Sequence, residues 1–488
     1  MRARWTRTLL PLCAALLACG RGERRWNVVL ITLDTTRADA LSCYGAPPGS
    51  TPNLDALAAA GTRFDLALAT ASLTPVSHAS ILTGLENREH GLRVMSAGSG
   101  FRLPRGVPTL ATVLEDAGYA TIAVHSAFPV SSWFGFERGF GRFESFDTTV
   151  DPKAPQRSWN VLEFQRRADE TTAIVEDCLR PSAKPFFLWV HYWDPHDALK
   201  VPPADFLPQS LPPGSRELYA AEVRFVDREI GRLVERLKQM GEYERTLFVV
   251  VADHGEGLGD HGWQHHRLLY QEDLRVPLIL VVPGRAPTPP VSALVRTTDI
   301  FPSVLEALAL EAPRPVSGRS LLPLLAGRAE EPRTAFADAI NGYDRNAAMV
   351  KQRPLDDFAY AVVRAGWKLV YRPAHREASE LFELASDPRE LTNRCASEPA
   401  KVRELLLLLA RENPFVTRPF PEELREDGAV RNVLQGLGYA GEGASPLPAD
   451  SWRWSCPAHP EESFETNRAC AQCGSKLVPF AELRGRDR

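Results

Sequence analysis

Residues 27–34 read NVVLITLD and residues 246–254 read TLFVVVADH. Each is a short, almost wholly apolar run rich in β-branched side chains, which is how a strand buried on both faces of a parallel sheet reads. The polar residues that close these runs, Asp34 and the pair Asp253-His254, therefore fall at strand C-termini. That is the edge where open α/β sheets hold ligands. A third segment, TPVSHASILTG at residues 74–84, opens on a hydroxyl and ends on glycine. Together the three segments offer Asp34, Thr74, Asp253 and His254 as one metal-centred hydrolytic site.

Outward from these runs, strand-like segments at 27–33, 119–125, 186–192, 246–252 and 277–282 are separated by helical patterns, among them 53–60, 110–117, 217–239 and 300–310. Such alternation predicts an α/β fold, a mostly parallel sheet sandwiched by helices. The clearest helical period lies in 217–239, with Val223, Val226, Ile230, Leu233, Val234 and Leu237 on one face. Beyond about residue 330 the pattern changes to short strand-like pieces, AYAVVRAG and WKLVYRP, and a helix at 400–412. The organisation expected is a catalytic domain over 26–330 and a smaller C-terminal α+β subdomain over 331–440. A linker rich in Gly, Ala, Ser and Pro follows over 441–453, and a small tail domain over 454–480.

With 488 residues and 44% apolar composition, the chain can bury a large core in more than one domain. Its net charge of −4 arises from 57 basic and 61 acidic residues spread along the chain. No basic block marks a nucleic-acid partner. At the N-terminus Arg2, Arg4 and Arg7 precede an apolar run, 9–18, too short to span a bilayer. Leu16-Leu17-Ala18-Cys19 resembles the lipobox of bacterial lipoproteins, so residues 1–19 read as a lipoprotein signal peptide with Cys19 as the lipidated residue. This predicts a bacterial cell-envelope protein, lipid-anchored in the periplasm or at the outer membrane. The alternative is an ordinary cleaved signal in which Cys19 has no special role. Of the other cysteines, Cys43, Cys178 and Cys395 are an odd set that reads as buried small apolar side chains.

The segments around Asp34, Thr74 and Asp253 resemble the alkaline phosphatase superfamily in its sulfatase-like branch. So do PFFLWVHYWDPHDALKVPP (185–203), LLYQEDLRVPLILVVPG (268–284), TTDIFPSVLEALAL (297–310), AGWKLVYRP (365–373) and ELFELASDPRELTN (380–393). The sulfatase pattern is Cys or Ser, any residue, Pro, Ser, Arg, then a helix ending in Leu-Thr-Gly. Residues 77–84, SHASILTG, fix the register and put Thr74 at the nucleophile position. Sulfatases of this branch convert their Cys or Ser to formylglycine, and threonine cannot be oxidised to that aldehyde. The chain also has His78 where the pattern has Arg, and Pro75 one position early. The resemblance therefore implies a phosphoryl-transfer member, in which a metal-bound Thr74 alkoxide cleaves or transfers a phosphate (di)ester. A sulfuric ester hydrolase and a non-catalytic surface binding lipoprotein are the alternatives. The expected partners are a small-molecule, lipid or glycan ester substrate and the membrane.

Thr74 stands at a predicted helix start, with Pro75 suited to the first turn and Gly84 to the end. Free N–H groups and the helix dipole favour negative charge there. Taken alone, Thr74 would be a plain N-cap. Sulfatases offer two adjacent Asp residues after strand one and an Asp-Asn pair later, an oxygen set suited to calcium. Here Asp34-Thr35 and Asp253-His254 lose one carboxylate and gain an imidazole, which favours manganese or zinc over calcium. Asp194, His196, His265 and His78 are candidates for a second metal or for substrate contacts, with His196 and His265 also candidate catalytic groups. His125 reads as a buried, satisfied histidine. In the tail, Cys456, His459, Cys470 and Cys473 form a C-x2-H-x10-C-x2-C set resembling a heavy-metal-binding domain. A structural zinc fits that spacing, a disulfide or free thiols being the alternative.

Overall fold

The computed structural model describes residues 25–95, 102–145, 165–196, 201–207, 215–342, 344 and 347–412, and three short strands between 454 and 479. Seven strands make one mixed sheet: β1 Asn27–Leu33, β2 Thr62–Arg63, β3 Ala120–His125, β4 Arg142–Glu144, β5 Phe186–Tyr192, β6 Thr246–Ala252 and β7 Leu278–Val281. Their order is β2-β7-β6-β1-β5-β3-β4. Strands β6, β1, β5, β3 and β4 run parallel, and β7 is antiparallel to β6. Every residue of β1, β5 and β6 is buried, as runs without alternation require when both faces of a sheet are covered.

Helices flank the sheet: α1 Pro52–Ala60, α2 Thr74–Thr83, α3 Leu110–Asp116, α4 Ala168–Cys178, α5 Arg216–Gln239 and α6 Ile300–Ala307. The apolar stripe of α5 buries Val223, Val226, Ile230, Leu233 and Leu237. From the same helix Asp227 accepts from the Leu54 N–H at 2.8 Å, meeting one of the unpaired donors at the start of α1. None of the helices described is long and apolar enough to cross a membrane.

A second, antiparallel sheet orders Thr334–Ala339, Ala359–Arg364, Trp367–Tyr371 and Glu380–Glu383, and the helix Pro399–Glu412 packs on it. Its own apolar cluster includes Tyr360, Val362, Leu369, Leu381, Leu405 and Leu409. Buried ion pairs tie it to the main domain, Arg93 to Asp338 and Arg267 to Asp344, each at 2.7 Å. Cys43, Cys178 and Cys395 are free; Cys178 is buried as expected, whereas Cys43 and Cys395 are partly exposed. In the tail, Trp454–Cys456 pairs with His459–Phe464, and Cys456 and His459 are register partners. Cys470, Cys473, the linker, Cys19 and the rest of residues 1–24 lie outside the described residues.

Candidate active site

Strands β1 and β6 are paired in parallel with Leu33 opposite Ala252. The ladder carries on past both ends, Asp34 N donating to Tyr192 O at 2.8 Å and Asp253 N to Leu33 O at 3.4 Å. The two carboxylates thus leave the sheet as neighbours, and both are fully buried. Backbone N–H groups of Thr35 and His254 hold Asp253 Oδ1 at 3.1 and 2.8 Å. Thr35 reaches that position with φ at 45°, uncommon for a β-branched residue, while Tyr219 donates its hydroxyl to the Thr35 carbonyl at 2.8 Å. Asp253 Oδ2 has no hydrogen-bond partner, and neither has Asp34 Oδ1.

His254 donates from Nδ1 to its neighbour's carbonyl, Gly255 O, at 2.8 Å. Its Nε2 therefore presents a lone pair, 3.3 Å from Thr74 Oγ1 and 3.5 Å from Asp253 Oδ2. Ligand atoms of Asp34, Asp253 and His254 lie within 4.8 Å of one another, the one such group among the described residues.

Thr74 is the first residue of α2, whose ten residues are all buried and which ends at Gly84 with φ 68°. A Cβ at Gly84 would press on Phe301, so the left-handed turn and the close approach both call for glycine. Ser77 fastens the helix to the end of β6 by donating to Asp253 O at 2.6 Å. His78 donates from Nδ1 to Thr74 O at 2.8 Å, and the same nitrogen lies 3.5 Å from Asp253 Oδ2.

Burial drives the Asp34 carboxyl well above the usual carboxylate range, offset in part by the nearby Thr74 hydroxyl. Burial does the same at Asp253, where the charge of Asp34 adds to it. The imidazoles of His254 and His191 are held down at about 3, chiefly by burial, and His78 is also lowered well below its ordinary value. The centre is thus two buried carboxylates with orphaned oxygens facing an imidazole lone pair. It is rich in lone pairs, and among the described residues no Lys or Arg pairs with either carboxylate, so that donor set fits a divalent ion. Asp34, Asp253 and His254, with Thr74 Oγ1, are the groups that would hold it.

The candidates for a second cluster are not brought together as the sequence suggested. Asp194 Oδ1 accepts from Ala168 N at 3.0 Å and so serves the start of α4, and burial raises its carboxyl to about 7. His196 stacks on Trp193 with ring centroids 3.8 Å apart. Its Nε2 lies 3.3 Å from Nε2 of His266, not of His265. His265 is exposed beside Trp263. Its neighbour His266 turns inward, donates to Ser72 O at 3.0 Å and brings its ring centroid to 4.7 Å from that of His254. The chain bends through residues 264–266, and of the two histidines only His266 turns toward the site. His125 is buried and hydrogen-bonded to Ala127 O and Ser145 Oγ, a satisfied histidine.

One neighbour of the carboxylates went unread in the sequence: His191, on β5, with Nε2 at 3.0 Å from Asp34 Oδ2. Its signal was a single imidazole inside the otherwise apolar and aromatic run FFLWVHY, opposite Thr32 in register and so level with the end of β1.

Comparison with known proteins agrees with this geometry. The sequence profile of the sulfatase family matches residues 26–310, and a second, N-sulphoglucosamine sulphohydrolase, C-terminal, matches residues 259–409. An arylsulfatase of Clostridium perfringens is 25% identical over 460 residues, covering 77% of this chain and 92% of that protein. An N-acetylglucosamine-6-O-sulfatase of Bacteroides thetaiotaomicron is 25% identical over 517 residues, 84% of this chain and 91% of that protein. The crystal structure of a phosphonate monoester hydrolase of Agrobacterium radiobacter superposes with a TM-score of 0.64 at 22% identity, over 80% of this chain and 96% of that one.

Proposed function

The chain belongs to the sulfatase family of hydrolases, and from that premise we propose that it cleaves or transfers phosphate (di)esters with Thr74 as the nucleophile. The observation that carries the reading is the Thr74 hydroxyl, a secondary alcohol 3.3 Å from His254 Nε2 at the start of a buried helix. An aldehyde cannot be made from it, because its Cβ already bears a methyl group. A divalent ion held by Asp34, Asp253 and His254 would lower the hydroxyl pKa and neutralise charge on the ester oxygens. Manganese or zinc suits a set containing an imidazole better than calcium does.

In this reading Thr74 Oγ1 attacks phosphorus in line, the P–O bond to the leaving alcohol breaks, and Thr74 carries the phosphoryl group until water or an acceptor alcohol takes it. The helix start stabilises the added negative charge. Thr74 gives up its proton to water as it attacks, and water protonates the departing oxygen, because burial keeps the neighbouring His196 and His266 imidazoles neutral. A second reading, hydrolysis of sulfate esters, is favoured by the names of the curated relatives. The test is a panel of nitrophenyl phosphomonoester, phosphodiester, phosphonate and sulfate substrates, each with manganese, zinc or calcium. Faster turnover of a phosphorus ester is expected. A marked preference for the sulfate ester would replace the first reading with the second.

Two further features belong to the same proposal. Cys19 anchors the enzyme to the bacterial envelope, which globomycin-sensitive processing and loss of membrane fractionation in Cys19→Ala would test. The tail set Cys456, His459, Cys470 and Cys473 holds a structural zinc apart from catalysis. Truncation after Tyr439 should therefore remove about one equivalent of zinc and leave turnover nearly unchanged.

A further inference from the structure

We propose that His191 is a positioning residue for the metal centre: by donating its Nε2 proton to Asp34 Oδ2, it turns Asp34 Oδ1 toward the ion. The inference rests on the metal reading of Asp34, Asp253 and His254. His191 and Asp34 are both fully buried and 3.0 Å apart. With the ion bound Asp34 is a carboxylate, which only accepts hydrogen bonds, so the imidazole proton then sits on Nε2 and Nδ1, which has no hydrogen-bond partner, carries the lone pair. Asp34 then has one oxygen engaged and one, Oδ1, without a partner, and Oδ1 is the atom left to face a cation.

The arrangement at Asp253 is the same in outline. There backbone N–H groups of Thr35 and His254 hold Oδ1 and leave Oδ2 unpartnered. The main chain orients one carboxylate; at Asp34 the corresponding N–H, that of the following residue Thr35, is spent on Asp253 Oδ1, and a side chain orients Asp34 instead. His191 itself stands outside the three-residue ligand group although it touches one of its members, which separates orienting a ligand from being one. Its ring is kept in place by packing at the end of β5. The His78 ring lies at 5.0 Å, edge-on, and Thr32 and His125 are its register partners on the two neighbouring strands.

The test uses the full-length protein and Mn2+ alone, counting free ion by electron paramagnetic resonance during titration, with thermal melts to check folding. Three variants separate the possibilities. Gln at position 191 can place an amide N–H near the position of Nε2, whereas Asn is too short and Leu has no donor. Expected are a loss of about 10- to 100-fold in Mn2+ affinity for His191→Leu and His191→Asn, the range for groups that orient a metal's ligands, and recovery of most of that affinity in His191→Gln. Wild-type affinity in folded His191→Leu or His191→Asn, or a His191→Gln variant as weak as His191→Asn, would overturn the proposal. Asp34→Asn is the control for the underlying reading. If it binds Mn2+ like the wild type, the metal assignment falls and takes this role for His191 with it.

Discussion

Thr74 and its immediate partners concentrate the chemistry into a few ångströms. Its hydroxyl lies 3.3 Å from His254 Nε2 on the loop after β6, and its carbonyl holds His78 one turn on in the same helix. Removing the hydroxyl should remove the reaction without emptying the centre, because Asp34, Asp253 and His254 are untouched. Thr74→Ala is expected to lower kcat by about 10^3-fold or more, the scale for loss of a nucleophile. Metal content measured by mass spectrometry should stay at the wild-type level. Thr74→Ser keeps the alcohol and should keep substantial turnover. Wild-type rates in Thr74→Ala would take Thr74 out of the reaction. Asp34, Thr74, Asp253 and His254, which the structure brings together, all end or begin a regular element, where a polar residue stands out. His191 did not, because it lies inside an apolar strand, and the choice of His265 over His266 failed because the two are adjacent in an irregular loop with no period to separate them.

Elements place these residues by backbone contacts as much as by side chains. The loop after β6, DHGEGLGDHG, folds back so closely that a Cβ on Gly255 would run into the carbonyl oxygen of Glu272. Gly255→Ala should therefore shift the loop that follows His254 and cost about 1–3 kcal/mol, the range for forced overpacking. The check is denaturant unfolding together with Mn2+ affinity, and a variant unchanged in both would show that the loop gives way freely. The central strands β1, β5 and β6 were legible to the residue, since a run apolar on all sides has one cheap environment, the middle of a covered parallel sheet. The helix expected at 300–310 stops earlier, at Ala307, and Ala309 takes φ 53°. The two- and three-residue strands β2 and β4 carry too few positions for any period to show, so their place at the sheet edges was not legible.

At the scale of the whole molecule the buried histidines and carboxylates pull stability in opposite directions with pH. His78, His125, His191, His254 and His266 are all lowered by burial, so below about 6.5 the unfolded chain takes up protons that the folded chain refuses, and stability falls on acidification. Asp34 and Asp253 are raised, so in the metal-free protein their contribution is present at low pH and is lost as pH rises through their folded values. A bound ion keeps both carboxylates charged and leaves only the histidine effect, reinforced by release of the ion. Melting temperature should therefore fall more steeply between pH 7.5 and pH 5 (about the range in which histidine titrates) for the manganese-loaded protein than for the metal-free one. Parallel profiles would mean that the carboxylates do not hold the ion. The most direct test of Thr74 as the acceptor of the ester's phosphoryl group is mass spectrometry of peptides from enzyme acid-quenched during turnover of a nitrophenyl phosphodiester or phosphonate. A phosphoryl or phosphonyl adduct on the peptide carrying Thr74, absent in Thr74→Ala, is the predicted result. Turnover of the same substrate by Thr74→Ala with no adduct on the wild-type peptide would contradict it.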